Sequence, residues 1–406
     1  MQINNKTNGN KLALFAIFLT ITGFALSASA VPPLVTTIAK QINVPYESFG
    51  YVFMIQYLCF TLAALIGGAV KERFGFAIHK LITVGVFGAA AVLMLGNFLQ
   101  GFWWFVVWII PLGFCDGLIE TFASIMVAEY EENNSSKLIS LSQMFYCIGA
   151  ILGPGAMVLL LRNEISWRVV FVILGASVLA IGIFFEAVNK KKGIHSATMK
   201  TGAVKKGTNQ AGVAWHRDLL FYLTAISIFL YVSIENCVGS WVAAYFEKRF
   251  GLPASSAAWR LSVFWGGIII GRGLMVVLPA RMTLWPALIC AGAGMAFANV
   301  FLSFNFSPML ATGAVLLCGI ACGPVWPITV MVSQNLRNST RFTSSVIGAG
   351  AVGAAAGPLM GSYIIQYLGL SLLFPILAAG SVVLFFSILF VQRKSLAEAA
   401  NGGITL

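Results

Sequence analysis

Apolar residues fill long stretches of this chain with no charge between them. Residues 282–336 contain no Asp, Glu, Lys or Arg, and neither do residues 342–392. A soluble domain would place charges on the exposed face of its helices over such lengths. Each stretch instead fits two bilayer-spanning helices of about 20 apolar residues joined by a turn. The pattern therefore predicts a membrane protein that crosses the bilayer several times.

Twelve segments are long and apolar enough to cross a bilayer. Inside hydrocarbon every backbone N–H and C=O must be bonded internally, so we expect each segment to be an α-helix. The predicted spans are residues 12–38, 47–70, 80–100, 103–129, 138–162, 166–188, 218–246, 257–280, 283–304, 307–333, 341–367 and 369–391. The sequence thus predicts an all-α membrane protein with 12 transmembrane helices.

The composition agrees with a membrane protein, and the distribution of charges predicts how the chain is oriented in the membrane. Hydrophobic residues make up 59% of the chain and charged residues 9%, with a net charge of +12. This charge does not require a nucleic-acid partner, because basic residues collect in cytoplasmic loops of membrane proteins. With the N-terminus inside, the outer segments hold only six of the 25 Lys and Arg residues: Lys40, Arg162, Arg168, Lys248, Arg249 and Arg260. We therefore expect both termini in the cytoplasm, in a bacterial inner membrane or a plasma membrane.

Residues 189–217 form the one break in the hydropathy pattern. This segment is basic and contains several Gly, Ser and Thr residues, which is typical of a flexible linker. It divides the chain into an N-terminal six-helix bundle, residues 1–188, and a C-terminal six-helix bundle, residues 218–406. The role of this cytoplasmic linker beyond contact with lipid headgroups stays open.

The two predicted bundles repeat each other in their glycine motifs. Gly149-Ala-Ile-Leu-Gly153-Pro154 in span five recurs as Gly353-Ala-Ala-Ala-Gly357-Pro358 in span eleven. In the same way, Gly113-x3-Gly117 in span four corresponds to Gly319-x3-Gly323 in span ten. A single pair of this kind arises by chance in glycine-rich helices, but an aligned six-residue motif at half the chain length indicates an internal repeat. Such repeats are the usual construction of secondary transporters.

The loop after span two contains a motif of a known superfamily. Its sequence, Gly68-Ala-Val-Lys-Glu72-Arg73-Phe-Gly75, resembles the G-x-x-x-D-R-x-G signature of the major facilitator superfamily, with Glu72 in place of Asp. The resemblance covers essentially the whole chain. It implies a fold of two pseudo-symmetric six-helix bundles with a cavity at the midplane, and a gating role for Glu72 and Arg73.

Two proline clusters predict breaks in the helices. Pro32-Pro33 is expected to end span one and Gly323-Pro324-x-x-Pro327 to interrupt span ten, because proline removes a backbone donor and kinks a helix. Spans one, four, seven and ten line the cavity in the superfamily. The resemblance therefore favours Pro324 and Pro327 as part of a gate, although a static kink fits the pattern equally well.

Three carboxyl groups lie well inside predicted spans, away from the membrane interfaces: Asp116 and Glu120 in span four, and Glu235 in span seven. An ionised and unpaired carboxylate costs several kcal/mol at membrane depth, so such a group faces a cavity, pairs with a cation or holds a proton. All three are candidates for substrate binding or ion coupling, and a structural hydrogen bond between helices is the alternative. For Arg272, at the inner end of span eight, we favour an anchor that reaches to the cytoplasmic surface over a partner for an acid or an anionic substrate.

Spans four, five and seven carry motifs of a sugar-transporting family. Glu120 follows the glycine pair of span four, Leu141-Ser-Gln143-Met-Phe145 opens span five, and span seven reads Tyr231-x3-Glu235-x3-Gly239-Ser-Trp241. These segments resemble the fucose–galactose–glucose:proton symporter family. The resemblance implies that Glu120 takes part in sugar binding and proton coupling and that Gln143 contacts the sugar. Span one lacks the acidic residue of that family, which leaves the coupling ion open.

Further polar and aromatic residues suit a sugar ligand. Amides bond to hydroxyl groups, and aromatic rings stack on the apolar faces of a pyranose. The candidates for such a lining are Gln56, Tyr57, Gln143, Asn236, Trp265 and Trp326. For each of them alone, packing or a place in the interfacial aromatic belt is at least as plausible.

The sequence therefore predicts a secondary active transporter, working by alternating access on a small polar solute, most plausibly a monosaccharide. A multidrug or amphiphile exporter of the same fold is the first alternative, and a non-transporting receptor or scaffold the second. We expect no enzymatic activity, no metal site and no cofactor other than a proton or sodium as coupling ion. The expected partners are a small-molecule substrate and membrane lipid, with no nucleic acid, and the expected state is a monomer.

Overall fold

The computed structural model of the chain describes residues 2–130, 135–163, 165–192, 218–277, 284–304, 307–337 and 340–400. These residues form helices and connecting turns, with no strand among them. In chain order the helices are α1 (Gln2–Ala28), α2 (Val35–Gln41), α3 (Phe49–Phe74), α4 (Ile78–Leu95), α5 (Phe102–Tyr130), α6 (Ser135–Arg162), α7 (Trp167–Lys192), α8 (Leu219–Phe250), α9 (Ala254–Val277), α10 (Leu284–Leu302), α11 (Pro308–Arg337), α12 (Thr340–Tyr363) and α13 (Leu373–Ala400). The all-α prediction is confirmed.

Within the described residues, 11 segments are long and apolar enough to cross a membrane. The first of them, Lys11–Gln41, combines α1 and α2, and ten further helices supply the others. The described part of α9 is not among these 11 segments. At 24 residues it is nevertheless as long as the other spanning helices, and it coincides with the eighth predicted span.

The described chain divides into two compact units. The first unit holds the described residues up to 192 together with residues 252–262, and the second holds residues 218–251 and those from 263 onward. The predicted linker lies almost wholly outside the described residues. The domain boundaries at 188 and 218 therefore stay a prediction.

Glycines bring helix backbones together in the first unit. A Cβ on Gly113 or Gly117 of α5 would collide with the carbonyl oxygen of Gln56 or Phe60 on α3. In the same way, Gly149 of α6 leaves room only for the backbone of α1. Small residues at every fourth position are the usual way in which membrane helices approach closely.

The second unit uses the corresponding glycines in the same way. Gly353 and Gly357 of α12 lie against the carbonyl oxygens of Phe229 and Ser233 on α8. Gly319 and Gly323 of α11 likewise approach the backbone of α9. The pairs α1–α6 and α3–α5 of the first unit thus correspond to α8–α12 and α9–α11 of the second. The repeated motif makes the same type of backbone contact in both units.

Both proline clusters behave differently from the prediction. Pro32 and Pro33 do not end the first span, because a 3₁₀ turn, Pro32–Leu34, connects α1 to α2 and the helix resumes there. The expected interruption of span ten is also wrong, since α11 continues through Pro324 and Pro327 as one helix. In α11 each proline removes only one backbone donor, and the neighbouring turns keep the helix continuous.

Candidate functional site

Glu120 and Gln143 form a polar contact between two helices of the first unit. The Gln143 side chain on α6 donates from Nε2 to Glu120 Oε1 on α5 at 3.0 Å. The Ser124 hydroxyl, one turn further along α5, donates to the same oxygen at 3.4 Å. Both Glu120 and Gln143 are half-buried. The structure brings together the two residues that the sequence linked to sugar binding.

Asp116 lies one turn before Glu120 but contacts different helices. Its side chain is only 1% exposed. Gln56 of α3 donates from Nε2 to Asp116 Oδ2 at 3.5 Å, and the Ser27 hydroxyl of α1 faces the same carboxyl group. Gln56 is buried and its amide group lies against this carboxyl group. Its contact with a sugar stays a prediction. Asp116 and Glu120 therefore form two separate polar clusters along α5.

In the second unit, Glu235 of α8 lies within a charged cluster. Tyr231, one turn earlier on α8, and Arg272 of α9 both lie within electrostatic reach of its carboxyl group. Glu235 and Arg272 are each 9% exposed. The expected cytoplasmic anchor role of Arg272 is therefore wrong, because its side chain is buried. The nearby carboxyl group supplies the opposite charge that makes this burial tolerable.

The remaining candidates for a sugar-binding surface are distributed over both units. In the second unit, Asn236 is half-buried and donates from Nδ2 to the Val232 carbonyl of its own helix at 2.9 Å. There, Trp265 packs against α8 at Gly239, and the half-buried Trp326 lies over Gly350 of α12. In the first unit, Tyr57 is half-buried on α3. Their contact with a sugar stays a prediction.

The predicted gating motif lies at the end of α3. Gly75 adopts a left-handed conformation with φ of 66°, and its N–H bonds to the Lys71 carbonyl, which ends the helix. Glycine takes this conformation without the cost that a Cβ would bring. Arg73 is exposed and lies 5.8 Å from the centre of the Phe74 ring. Glu72 is part of the last turn of α3, and its side chain is outside the described atoms.

Sequence reasoning missed two polar groups of the first unit. Ser27 is one of two serines in the first predicted span, and nothing in its spacing marks it as a partner of Asp116. Glu186 was not among the candidate residues, but its carboxyl group accepts a hydrogen bond from Thr83, which links α7 to α4. The sequence signal for this contact was a carboxyl group within an apolar segment, between Phe185 and Ala187.

Comparison with solved structures identifies the same fold in known transporters. The crystal structure of the nucleoside transporter NupG superposes with a TM-score of 0.74 at 13% sequence identity, over 94% of this chain and 99% of that chain. A bacterial homologue of the human lysosomal transporter Spinster gives a TM-score of 0.65 at 15% identity, over 94% of both chains. At these identities the likeness concerns the fold alone.

Sequence relatives are transporters as well. The sodium-dependent glucose transporter 1A of Mus musculus is 21% identical over 391 residues, which is 86% of this chain and 89% of that protein. A putative glucose/galactose transporter of Helicobacter pylori is 29% identical over 199 residues, or 48% of each chain. The expectation of a transporter rather than an enzyme is confirmed.

The family assignment rests on most of the chain. The sequence profile of the Major Facilitator Superfamily matches residues 13–348, which include all of the first unit's spanning helices and most of the second unit. The fold and the glycine repeat agree with this match. The chain is an integral membrane protein that crosses the bilayer several times and belongs to the Major Facilitator Superfamily.

Proposed function

We propose that the protein carries a neutral monosaccharide or a similar polyol across the membrane by secondary active transport. The observation that carries this proposal is the half-buried contact between Glu120 and Gln143 on neighbouring helices. A sugar hydroxyl both donates and accepts hydrogen bonds. A carboxylate beside an amide offers the acceptors and the donor that such a group needs.

The named relatives support a sugar in particular. The mouse and Helicobacter pylori proteins are described as glucose and glucose/galactose transporters. The two structural neighbours are described as a nucleoside transporter and a lysosomal transporter homologue, so the fold by itself does not select the solute. In this proposal, the motifs around Glu120 and Gln143 are the reason for choosing a sugar as the transported solute.

The transport cycle and its setting belong to the same proposal. Alternating access, with a proton or sodium gradient as the driving force, is the mode of transport expected of this superfamily. The positive-inside rule supports cytoplasmic termini. A monomer without nucleic-acid partners or organic cofactors completes the proposal.

Uptake of radiolabelled glucose and galactose into proteoliposomes tests this function. We expect Glu120→Gln and Gln143→Leu each to lower uptake at low sugar concentration about tenfold or more, since a hydrogen bond to a charged group contributes about 1.5–3 kcal/mol. The double variant should lose less than the product of the two effects, because both substitutions remove the same contact.

Glu247→Gln is the matched control, because it makes the same chemical change near the end of α8, where Glu247 lies beside Lys248. It should leave uptake at the wild-type level. Efflux of hydrophobic dyes without any sugar uptake would contradict the proposal and favour a multidrug exporter. Absence of all transport, with the fold intact, would favour a receptor or scaffold.

A further inference from the structure

We propose that Ser27 and Asp116, with Gln56 as a positioning residue, form a sodium ion site in the first unit. This site deepens the proposed function, on which it rests, because it separates the coupling ion from the solute. Glu120 and Gln143 would bind the solute, and the Asp116 cluster would bind the ion.

Three helices converge on this cluster. Ser27 comes from α1, Gln56 from α3 and Asp116 from α5, and their side chains are 1%, 6% and 1% exposed. Gln56 holds Asp116 Oδ2 at 3.5 Å. Asp116 Oδ1 and Ser27 Oγ are both buried; the two side chains lie close enough to interact, and within the described residues neither of these atoms has a well-formed hydrogen bond. Two oxygen atoms from different helices are thus available to a ligand in an otherwise apolar region.

The orientation of Ser27 differs from that of two neighbouring buried hydroxyl groups, Thr20 on α1 and Ser29 just after the end of α1. Thr20 donates to the carbonyl of Ile17, and Ser29 donates to the carbonyl of Ala25, each at 2.7 Å. Buried serines and threonines in helices usually bond back to their own helix in this way. Ser27 instead turns its hydroxyl toward Asp116. Its oxygen therefore retains lone pairs that can coordinate a cation.

The charge of the cluster favours a monovalent cation. The parts of α1, α3 and α5 at this depth bring no Lys or Arg, since residues 12–39, 48–70 and 102–130 contain none. A buried carboxylate requires a positive partner. Carboxylate and hydroxyl oxygens are hard ligands of the kind that bind hard cations. Calcium and magnesium sites use more ligands or keep several waters, whereas one carboxylate balances a single charge of +1.

The position of Asp116 gives this site a direct connection to the solute. Asp116 and Glu120 are four residues apart on α5, which corresponds to about 6 Å along the helix axis. An ion that draws Ser27 and Asp116 together would fix α1 against α5 one turn from Glu120. Sodium binding and solute binding would then favour the same arrangement of these helices and would strengthen each other.

Thermal unfolding of the purified protein tests this site without any need for transport. The wild-type protein is heated in sodium chloride up to about 100 mM, with choline chloride keeping the total salt constant, since a ligand of the folded state raises the apparent melting temperature. We expect a rise of about 3 °C or more in sodium. Asp116→Asn should abolish the rise, and Ser27→Ala should shift its midpoint to about tenfold higher sodium, as expected for the loss of one ligand.

Ser29→Ala is the matched control, because it removes a buried hydroxyl group two residues from Ser27, just after the end of α1, and that hydroxyl group already bonds to the Ala25 carbonyl. It should keep the wild-type response to sodium. If Asp116→Asn fails to fold, the comparison of Ser27→Ala with Ser29→Ala still decides the question.

Three outcomes would overturn the sodium site. These are a wild-type protein that sodium does not stabilise more than choline, an Asp116→Asn variant that keeps the full sodium effect, and a response to pH alone, which would make the proton the ligand. Glucose and galactose are added to the same preparations. Stabilisation by sugar without a sodium effect removes only the sodium site, whereas stabilisation by sodium without any sugar effect counts against the proposed substrate.

Discussion

Buried charge is balanced differently at individual residues of the two units. In the second unit, Glu235 has the guanidinium group of Arg272 within electrostatic reach and the Tyr231 hydroxyl nearby. In the first unit, Asp116 is surrounded by neutral groups, and the helices that carry its partners bring no basic residue at this depth. A buried charge without a partner destabilises a fold by several kcal/mol. The acid in the second unit therefore has its counterion within the protein, whereas the acid in the first unit requires a ligand or a proton.

Removal of Arg272 tests the balance in the second unit. We expect Arg272→Leu to lower the free energy of unfolding by about 3 kcal/mol, because it leaves the carboxyl group of Glu235 buried without a positive partner. Addition of Glu235→Gln should restore a large part of the loss. The measurement is the apparent melting temperature of the purified variants in detergent.

Arg260→Leu serves as the control, since Arg260 lies on the same helix, is half-buried and bonds locally to Ser256. Its effect should stay below that of Arg272→Leu. An equal loss in the double and single variants at positions 235 and 272 would show that the two charges do not interact.

At the scale of helices, backbone contact at glycine is the main feature of this fold. Gly357 of α12 meets the carbonyl oxygen of Ser233 on α8, and Gly149 of α6 meets the carbonyl oxygen of Thr22 on α1. Lipid tails are as apolar as the helices, so close packing of this kind is a major source of attraction between membrane helices. A methyl group at either position would force the two helices apart.

Alanine at these glycines gives a direct test of the packing. We expect Gly357→Ala to destabilise the protein by about 1–3 kcal/mol, the usual cost of overpacking. Gly348→Ala on the same helix should be neutral or slightly stabilising, because nothing lies within 4 Å of its Cβ position and alanine favours helices over glycine. Thermal unfolding in detergent compares the two variants.

The first unit offers the equivalent pair. Gly149→Ala should destabilise, and Gly155→Ala, which meets open space on the same helix, should not. Equal melting temperatures for Gly149→Ala and Gly155→Ala would contradict the close approach of α6 to α1.

At the scale of the whole molecule, the number of spans determines the side on which each terminus lies. Eleven described segments meet the criteria of length and hydropathy, and α9 carries two arginines among its 24 residues. If α9 crosses the membrane, the total is 12 and both termini share one side. If α9 does not cross, the termini lie on opposite sides. Whether the two termini lie on the same side therefore depends on whether α9 crosses the membrane.

Fusion proteins in a bacterial host test whether α9 crosses the membrane. We expect alkaline phosphatase joined after residue 251 to be active and the same enzyme joined after residue 281 to be inactive, since α9 returns the chain to the cytoplasm. Green fluorescent protein at the C-terminus should fluoresce, in agreement with the positive-inside rule. Active phosphatase at both junctions would mean that α9 does not span the membrane.

The hydropathy pattern alone determined the helices of this protein and their approximate ends. In hydrocarbon the backbone has no alternative to helical hydrogen bonds, so an apolar stretch of sufficient length has only one outcome. The glycine repeat was equally visible, because a small residue at every fourth position forms one face of a helix whatever its neighbour. The sugar-binding roles of Glu120 and Gln143 followed from a family resemblance rather than from the residues themselves, and their contact with each other was visible only in the structure.

Only the tertiary structure decided which side chains meet across helices. Periodicity assigns Asp116, Ser27 and Gln56 each to a face of its own helix, but not to a common point, because three residues far apart in the chain share no local signal. Arg272 was misjudged for the same reason: its partner Glu235 lies on another helix. Pro324 and Pro327 were misjudged because the surrounding turns keep the helix continuous despite the missing donors. Pro32 and Pro33 were misjudged because α2 continues the span after a 3₁₀ turn. Local hydrogen bonding fixes the helices, whereas the partners of buried polar groups depend on how those helices pack.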